Sequence, residues 1–258
     1  MAIITLTTDF GAGDWFVGSM KGVILGIEPR ATIVDITNDV SPGNVRAGAF
    51  ALAVSYKCFP RLTVHCAVVD PGVGSDRAAI VVKTADYFFV GPDNGLLSFA
   101  LAREKVFEAW RIENEVYFRK PVSSTFHGRD IFAPVAARLS QQILMESLGT
   151  KVKDFVRLKW PPTKMELGAV FGEVIYIDRF GNAITNIDFA ALAHLGKRAW
   201  IVETQGKELG EMRKFYHQVS VGEPLAVLGS SGFLEIAVNG GSAARTLGLK
   251  IGTPVIVK

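Results

Sequence analysis

The order of the elements in the first third of the chain restricts the fold more than any other feature of the sequence. Apolar runs typical of strands lie at residues 3–8, 32–37 and 62–69, and two segments with apolar residues at helical spacing separate them. The first of these segments follows Asp14, a residue type that caps helices. This β-α-β-α-β alternation predicts a mostly parallel sheet covered by helices on both faces, with ligands bound at the carboxyl ends of the strands.

The rest of the chain divides at residues 159–163, KWPPT, because two successive prolines disfavour a helix and suit an extended linker. Before it we predict strands at residues 78–84 and 87–90 and a helix at residues 131–145. After it, short β-rich runs predict a small barrel or sandwich: residues 169–177, 183–187, 200–204, 224–228, 234–238 and 254–257. The expected domains are residues 1–160, an α/β domain, and residues 166–258, a smaller β domain.

Charge and composition exclude several classes of protein. The chain has 28 Lys and Arg against 25 Asp and Glu, without a basic block, which disfavours nucleic-acid binding. The longest stretch without these residues, Pro224–Leu234, is shorter than the about 20 apolar residues that cross a bilayer. Cys58 and Cys66 imply neither a disulfide framework nor a zinc site. The N-terminus lacks the pattern of a signal peptide, so we expect a cytoplasmic protein that binds no membrane.

The first candidate site residue is Asp9, at the end of the first predicted strand. Its carboxylate can accept hydrogen bonds from a ribose diol, although aspartate is equally common at the start of a helix. Gly11 and Gly13 follow, but Phe16 stands where a dinucleotide fingerprint needs its third glycine. NAD is therefore not predicted.

The second candidate pair is Asp70 and Arg77, which flank a Pro-Gly turn after the third strand. A single Asp-Pro-Gly is usually a surface turn with compensating charges. The apolar strand before Asp70 favours a different interpretation, in which the carboxylate is fixed in position at the end of a buried strand. Next to Arg77 this carboxylate would stay ionised, which suits the orientation of a water molecule or the binding of a cation.

The third candidate is His127, which lies between a phenylalanine and a Gly-Arg-Asp sequence. Histidine is the side chain best suited to proton transfer near neutral pH. The alternative is an ordinary histidine at a helix start, with Asp130 as the helix cap. His65, His194 and His217 are interpreted as structural.

The fourth segment, residues 176–186, places Asp178, Phe180 and Asn182 around a glycine. Such residues form hairpin turns. They could also bind an ammonium group, stack on a ring and hydrogen-bond the edge of a base, respectively. The residues alone do not decide between the two interpretations.

Taken together, these segments resemble the S-adenosyl-L-methionine hydroxide adenosyltransferase family, the S-adenosyl-L-methionine hydrolases related to fluorinase and chlorinase. The matching motifs are TDFG at 8–11, VDPGVG at 69–74, FHGRD at 126–130, DRFGN at 178–182, and GSSG at 229–232 with EIAVN at 235–239. The resemblance covers nearly the whole chain. It implies an α/β N-terminal domain, a C-terminal β-barrel, and a homotrimer with ligand sites between one subunit's N-terminal domain and its neighbour's barrel.

The activity implied by the resemblance is attack of an activated water on the ribose 5′ carbon of S-adenosyl-L-methionine, giving adenosine and L-methionine. Asp70, Arg77 and His127 match the family's catalytic triad. Halogenating relatives have tyrosine in place of Asp70 and of His127, so the resemblance favours hydrolysis. No metal or other cofactor is expected, because the sulfonium leaves as a neutral thioether. Whether Asp70 or His127 accepts the proton stays open.

The resemblance also implies substrate-binding residues. Asp9 matches the residue that holds the ribose hydroxyls, Asp178 the one that meets the methionine ammonium, and Asn182 the one that bonds adenine. The remaining matches are Phe126, Phe180 and Tyr216 for rings or ribose, and Ser230 and Ser231 for the methionine carboxylate. Halogenating relatives have arginine in place of Ser231, so recognition of the carboxylate is left open.

Two other functions are compatible with parts of the sequence. A metal-dependent phosphoesterase would use oxygen and imidazole ligands, namely Asp9, Asp70, His127 and Asp130. The absence of an H-x-H motif or a closely spaced carboxylate pair disfavours it. A non-catalytic sensor of nucleosides or S-adenosyl-L-methionine would need Asp9, Asp178 and Asn182 but not the triad.

Overall fold

The computed structural model describes residues 2–196 and 199–258. The chain forms two compact units, Met1–Lys159 and Trp160–Lys258. Each unit has its own hydrophobic core. Within the described residues, no helix is long and apolar enough to cross a membrane.

The first unit is an α/β structure with a seven-stranded sheet. Its elements are β1 (Ile3–Thr8), α1 (Trp15–Ile27), β2 (Thr32–Thr37), α2 (Val45–Ser55), β3 (Val64–Val68), β4 (Ala79–Thr84), β5 (Phe88–Pro92), α3 (Ser98–Leu101), β6 (Phe107–Arg111), α4 (Ala133–Ser140) and β7 (Lys151–Val152). The strand order is β2-β1-β3-β5-β4-β6-β7. Strands β2, β1, β3 and β5 are parallel, and β4 pairs antiparallel with β5 and β6. The predicted α/β class is confirmed, and the sheet is mixed, with four neighbouring parallel strands.

Alternation along β1 explains the two layers around this sheet. Ile4 and Leu6 belong to the core that also contains residues of α1 and α4. Thr5 points to the opposite face, because successive strand residues alternate. On that face its hydroxyl lies 2.8 Å from Nδ1 of His65. Burial lowers the pKa of this histidine to about 3, so His65 is a neutral core residue.

The helix that follows His127 differs from the prediction. The expected helix over residues 131–145 begins earlier, as a π-helical turn at Gly128–Phe132, and α4 then ends at Ser140. Gln142 has a φ of 62°, a left-handed conformation that stops the helix. The side chain of Asp14 makes no capping hydrogen bond, although Asp14 occupies the capping position of α1.

The second unit is an antiparallel sheet with few helices. Its elements are β8 (Lys164–Glu166), β9 (Ala169–Ile177), β10 (Ala183–Asp188), α5 (Phe189–Ala193), β11 (Ile201–Thr204), β12 (Lys207–Glu211), β13 (Pro224–Leu228), β14 (Phe233–Val238), α6 (Ala243–Thr246) and β15 (Pro254–Val257). The strand order is β12-β11-β15-β9-β10-β14-β13, with β8 paired to β9. The end strands β12 and β13 contact each other, so the sheet nearly closes. The smaller β-barrel fold is confirmed.

Candidate active site

Asp70 and Arg77 form a buried ion pair beyond the carboxyl end of β3. All five residues of β3 are buried, and Asp70 follows two residues after the strand. Arg77 Nε donates to both carboxylate oxygens, at 2.9 and 3.0 Å, and Nη2 also donates to Oδ2. The exposed fractions of the two side chains are only 5% for Asp70 and 11% for Arg77. The pair therefore holds a fixed charge in a nearly dry environment.

His127 extends this pair into a chain of three side chains. Its Nδ1 lies 2.9 Å from Nη2 of Arg77. Because a guanidinium has only donors, Nδ1 accepts this hydrogen bond and a neutral ring carries its proton on Nε2. Burial lowers the pKa of His127, and the charge of Arg77 lowers it further, against the opposing effects of Asp70 and Asp130. The imidazole is therefore neutral at pH 7.

The loop of Asp70 and the loop of His127 approach each other closely at Gly74. This glycine has a φ of +80°, and a Cβ placed on it would collide with the carbonyl oxygen of Ser124. A residue with a side chain would therefore push the two loops apart. The glycine thus permits the approach that puts Arg77 within reach of His127.

The buried carboxylate of Asp130 stabilises the loop that carries His127 through hydrogen bonds. Its carboxylate accepts hydrogen bonds from Arg129, at 2.7 and 2.8 Å, and from the backbone N–H of Ser123 at 2.9 Å. Burial alone would raise the pKa of Asp130, but the bonds from Arg129 and Ser123 outweigh it and the pKa is lowered. Asp130 is thus a charged anchor, and its side chain accepts bonds from the loop before His127.

Asp9 and Phe126, the other candidates of this unit, make separate contacts. Asp9 Oδ2 accepts a hydrogen bond from the N–H of Gly43 at 2.8 Å. Phe126 is buried, with its ring edge-on to Phe10 at 5.7 Å and to Phe16 at 5.1 Å between centroids. The contacts of Phe126 within the unit are therefore those of a core residue.

In the second unit, Asp178 organises the turn between β9 and β10. Its Oδ1 accepts from the N–H groups of Phe180 at 2.9 Å and Asn182 at 2.8 Å, and Oδ2 accepts from Asn182 Nδ2 at 3.0 Å. Asn182 is buried, whereas Phe180 is 77% exposed. An ionised carboxylate has about four acceptor sites, so Asp178 can shape the turn and still accept a bond from a ligand.

The Tyr216 hydroxyl donates a hydrogen bond of 2.6 Å to Oε1 of Glu235 on β14. The bond to Glu235 and burial raise the pKa of Tyr216 to about 12. Burial raises the pKa of Glu235; the hydrogen bond from Tyr216 opposes this rise, and nearby Asp178 adds to it. Ser231 Oγ is buried without a hydrogen-bond partner among the described residues, and Ser230 is exposed.

Glu235 is a candidate functional residue to which the sequence analysis assigned no role. Leu234, Ile236 and Val238 of the same strand face the core, so Glu235 lies on the other face of β14. Even so, it is only 6% exposed. The sequence offered two signals: a single charge inside the apolar run FLEIAV, and the matching motif EIAVN at 235–239.

The triad can hold and polarise a small polar molecule, but its atoms are poorly placed to collect a metal. Arg77 already donates to Asp70 and His127, and Arg129 already donates to Asp130. Across residues 2–196 and 199–258, no group of three or more His, Cys, Asp or Glu side chains could hold a metal ion. The geometry therefore gives no support to the phosphoesterase alternative.

Comparison with family models finds two matches that together span most of the chain. Residues 4–149 match the SAM hydroxide adenosyltransferase N-terminal domain. Residues 172–256 match the SAM hydroxide adenosyltransferase C-terminal domain. The two matches lie one in each compact unit.

Individual proteins are similar to this chain over nearly its whole length. An (R)-S-adenosyl-L-methionine hydrolase of Salinispora tropica is 40% identical over 252 residues, covering 96% of this chain and 95% of that protein. A fluorinase of Nocardia brasiliensis is 27% identical, covering 99% of this chain and 96% of its own. A solved structure, described as an uncharacterized conserved protein from Thermotoga maritima, has a TM-score of 0.92 and 42% identity, covering 99% of both chains.

Proposed function

The chain belongs to the SAM hydroxide adenosyltransferase family, and from this membership we propose that it hydrolyses S-adenosyl-L-methionine to adenosine and L-methionine. The observation that carries the proposal is the partly buried hydrogen-bonded chain of Asp70, Arg77 and His127 after β3. The higher identity to a hydrolase than to a fluorinase supports water, rather than a halide, as the nucleophile.

In the proposed reaction a water oxygen attacks the ribose 5′ carbon from the side opposite the sulfur. The new C–O bond forms as the C–S bond breaks, and the pair of electrons of that bond leaves on sulfur as the neutral thioether of methionine. Because the sulfonium is already a good leaving group, the site needs to position the water and accept one proton. We accordingly propose that S-adenosyl-L-methionine is the substrate and that no metal or other cofactor takes part.

The hydrogen bonds of the triad favour Asp70 as the proton acceptor. His127 Nδ1 accepts from Arg77, so Nε2 carries a proton and can only donate. The Asp70 carboxylate retains lone pairs beyond those that the Arg77 guanidinium uses. His127 would orient the water and the guanidinium, and Asp70 would take the proton that the water releases.

The proposed substrate-binding residues are those that the motif matches indicate. We propose that Asp9 holds the ribose hydroxyls, that Asp178 binds the methionine ammonium and that Asn182 bonds adenine. The remaining contacts are assigned to Phe126, Phe180 and Tyr216 for rings or ribose, and to Ser230 and Ser231 for the methionine carboxylate. The exposed ring of Phe180 and the free acceptor capacity of Asp178 support this assignment.

The assembly and domains are part of the same proposal. We propose a cytoplasmic homotrimer with sites between subunits, built from domains at residues 1–160 and 166–258. The exposed aromatic rings of Trp15 and Phe180 are suited to contacts with another chain. Measurement of the mass in solution, for example by light scattering, tests the trimer; a monomer at all concentrations would contradict it.

The test of the function is a product assay with S-adenosyl-L-methionine, run with and without chloride, fluoride and a strong chelator. We expect adenosine and methionine in equal amounts under every condition. Release of S-adenosylhomocysteine would indicate methyl transfer, and loss of activity with the chelator would indicate a metal enzyme. Binding without turnover would indicate a sensor.

A further inference from the structure

The segment that carries Tyr216 is held at both ends by hydrogen bonds. At its start, the N–H of Arg213 donates to the carbonyl of Ala226 at 2.7 Å. At its end, Nδ2 of the buried Asn239 donates to the carbonyl of Val219 at 2.8 Å. Between these two anchors the Tyr216 ring is fixed by the hydrogen bond from its hydroxyl to Glu235.

The same carboxylate packs against a second segment, the turn at residues 229–232. A Cβ placed on Gly229 would lie 2.6 Å from Oε2 of Glu235, so this turn fits closely over the carboxylate because it begins with glycine. Ser231 in this turn has a buried hydroxyl that makes no hydrogen bond to any of the described residues. One buried side chain thus contacts two segments that the proposed function assigns to substrate binding.

Packing alone does not explain why Glu235 is buried, because burial of a carboxylate is unfavourable in free energy. In the part of the chain that the structure describes, no lysine, arginine or histidine forms an ion pair with it. On this face of β13 and β14 it lies beside a small hydrophobic cluster of Leu225, Val227 and Ala237. Burial of a carboxylate without a cation destabilises the folded state, and a leucine in the same space would destabilise it less.

We propose that Glu235 is a positioning residue for substrate binding, which holds the Tyr216 ring and the 229–232 turn in the arrangement that receives S-adenosyl-L-methionine. This inference rests on the proposed function. An aromatic ring that is fixed before binding loses less rotational freedom when the substrate arrives, so its anchor contributes to affinity. Glu235 does not touch the reacting atoms, and we expect its loss to raise KM without lowering kcat.

The experiment is a double-mutant cycle measured as KM and kcat for S-adenosyl-L-methionine and as the Kd for adenosine. Glu235→Ala removes the acceptor, and we expect KM and Kd to rise about tenfold, the value of one hydrogen bond, with kcat within about twofold. Glu235→Gln keeps an oxygen acceptor and should restore near-normal KM. In a Tyr216→Phe background, Glu235→Ala should have no further effect.

Two comparisons keep the result interpretable. Glu203→Gln, which disrupts a carboxylate paired with Lys258 elsewhere in this unit, serves as the matched control and should leave KM unchanged. If Glu235→Ala does not fold, Tyr216→Phe serves in its place. This variant removes only a hydroxyl from an exposed ring, so the fold should be kept, and the ring without its anchor should raise KM.

Additive effects of Glu235→Ala and Tyr216→Phe, a fall in kcat instead of a rise in KM, or an unchanged KM in Tyr216→Phe would overturn the role of Glu235. If the unmodified protein neither turns over S-adenosyl-L-methionine nor binds adenosine, the proposed function fails, and this inference fails with it. If the unmodified protein turns over S-adenosyl-L-methionine but the effects of the two substitutions are additive, only the role of Glu235 is overturned, and the proposed function stands.

Discussion

The two units hold their buried carboxylates in opposite ways. Asp70 is paired with a guanidinium that donates to both of its oxygens, whereas Glu235 is bonded to the neutral hydroxyl of Tyr216. A permanent cation compensates the negative charge of Asp70, whose side chain is only 5% exposed. Burial without a cation raises the pKa of Glu235. The first arrangement suits a reaction that needs a fixed charge, and the second suits the placement of a ring.

The largest expected difference between the two regions is in stability. Arg77→Leu leaves Asp70 buried and unpaired, and we expect the free energy of unfolding to fall by about 3–5 kcal/mol. Tyr216→Phe leaves the Glu235 carboxylate without its hydrogen-bond donor and should cost about 1–3 kcal/mol. Urea unfolding measures both, and equal losses would contradict the contrast. Asp70→Asn added to Arg77→Leu should recover part of the loss, since the unpaired charge is then gone.

The next largest expected effect is on turnover, and it tests the chemical role of Asp70. Asp70→Asn keeps the shape of the side chain but removes the proton acceptor, and we expect kcat to fall about a thousandfold. The Kd for S-adenosyl-L-methionine should change little. The control is Asp35→Asn, at a surface carboxylate bonded to Lys21, which should leave both kcat and Kd unchanged. A matching loss of affinity in Asp70→Asn would argue that Asp70 binds the substrate instead.

For the second unit we expect an effect on binding rather than on turnover. Asp178→Asn preserves a turn-forming side chain but loses the charge that would meet an ammonium group. A hydrogen bond to a charged group corresponds to an affinity loss of about 10- to 100-fold, while kcat at saturation should hold. Calorimetric titration with S-adenosyl-L-methionine measures it, with the exposed Glu208→Gln as control. Unchanged affinity would remove Asp178 from the site.

The smallest effect is a shift in pH dependence. Burial and Arg77 lower the pKa of His127 below 6.5, so kcat/KM should still exceed half of its plateau at pH 6.5 and decline only below it. Because the unfolded chain protonates first, the stabilisation from neutral His127 is complete above pH 6.5 and is lost as the pH falls. His194→Gln, at an exposed histidine, should leave the pH profile unchanged. A midpoint at or above 6.5 would contradict the assigned environment.

Much of the fold could be predicted from the sequence because strong periodicity marks the buried elements. Strands β1, β2 and β9 and the α/β class follow from it directly. Strands β6 and β12 were missed, since Glu108 in β6 and Lys207, Glu208 and Glu211 in β12 interrupt the apolar pattern. These charges are tolerated because each of them is exposed.

The candidate site was only partly predictable. The motifs named Asp70, Arg77 and His127, but no local pattern could indicate that Arg77 donates to both of the others, because the contact with His127 spans 50 residues of sequence. Glu235 acquires its importance from burial and from Tyr216, which are properties of the folded sheet. Long-range contacts of this kind become visible only in three dimensions.

The most direct test of the central claim is the fate of oxygen when S-adenosyl-L-methionine is incubated with the protein in oxygen-18 water. If water held by the triad attacks the ribose 5′ carbon, the adenosine 5′ hydroxyl carries the label and the methionine does not. Unlabelled adenosine would show that water is not the nucleophile, and would contradict the role assigned to Asp70, Arg77 and His127.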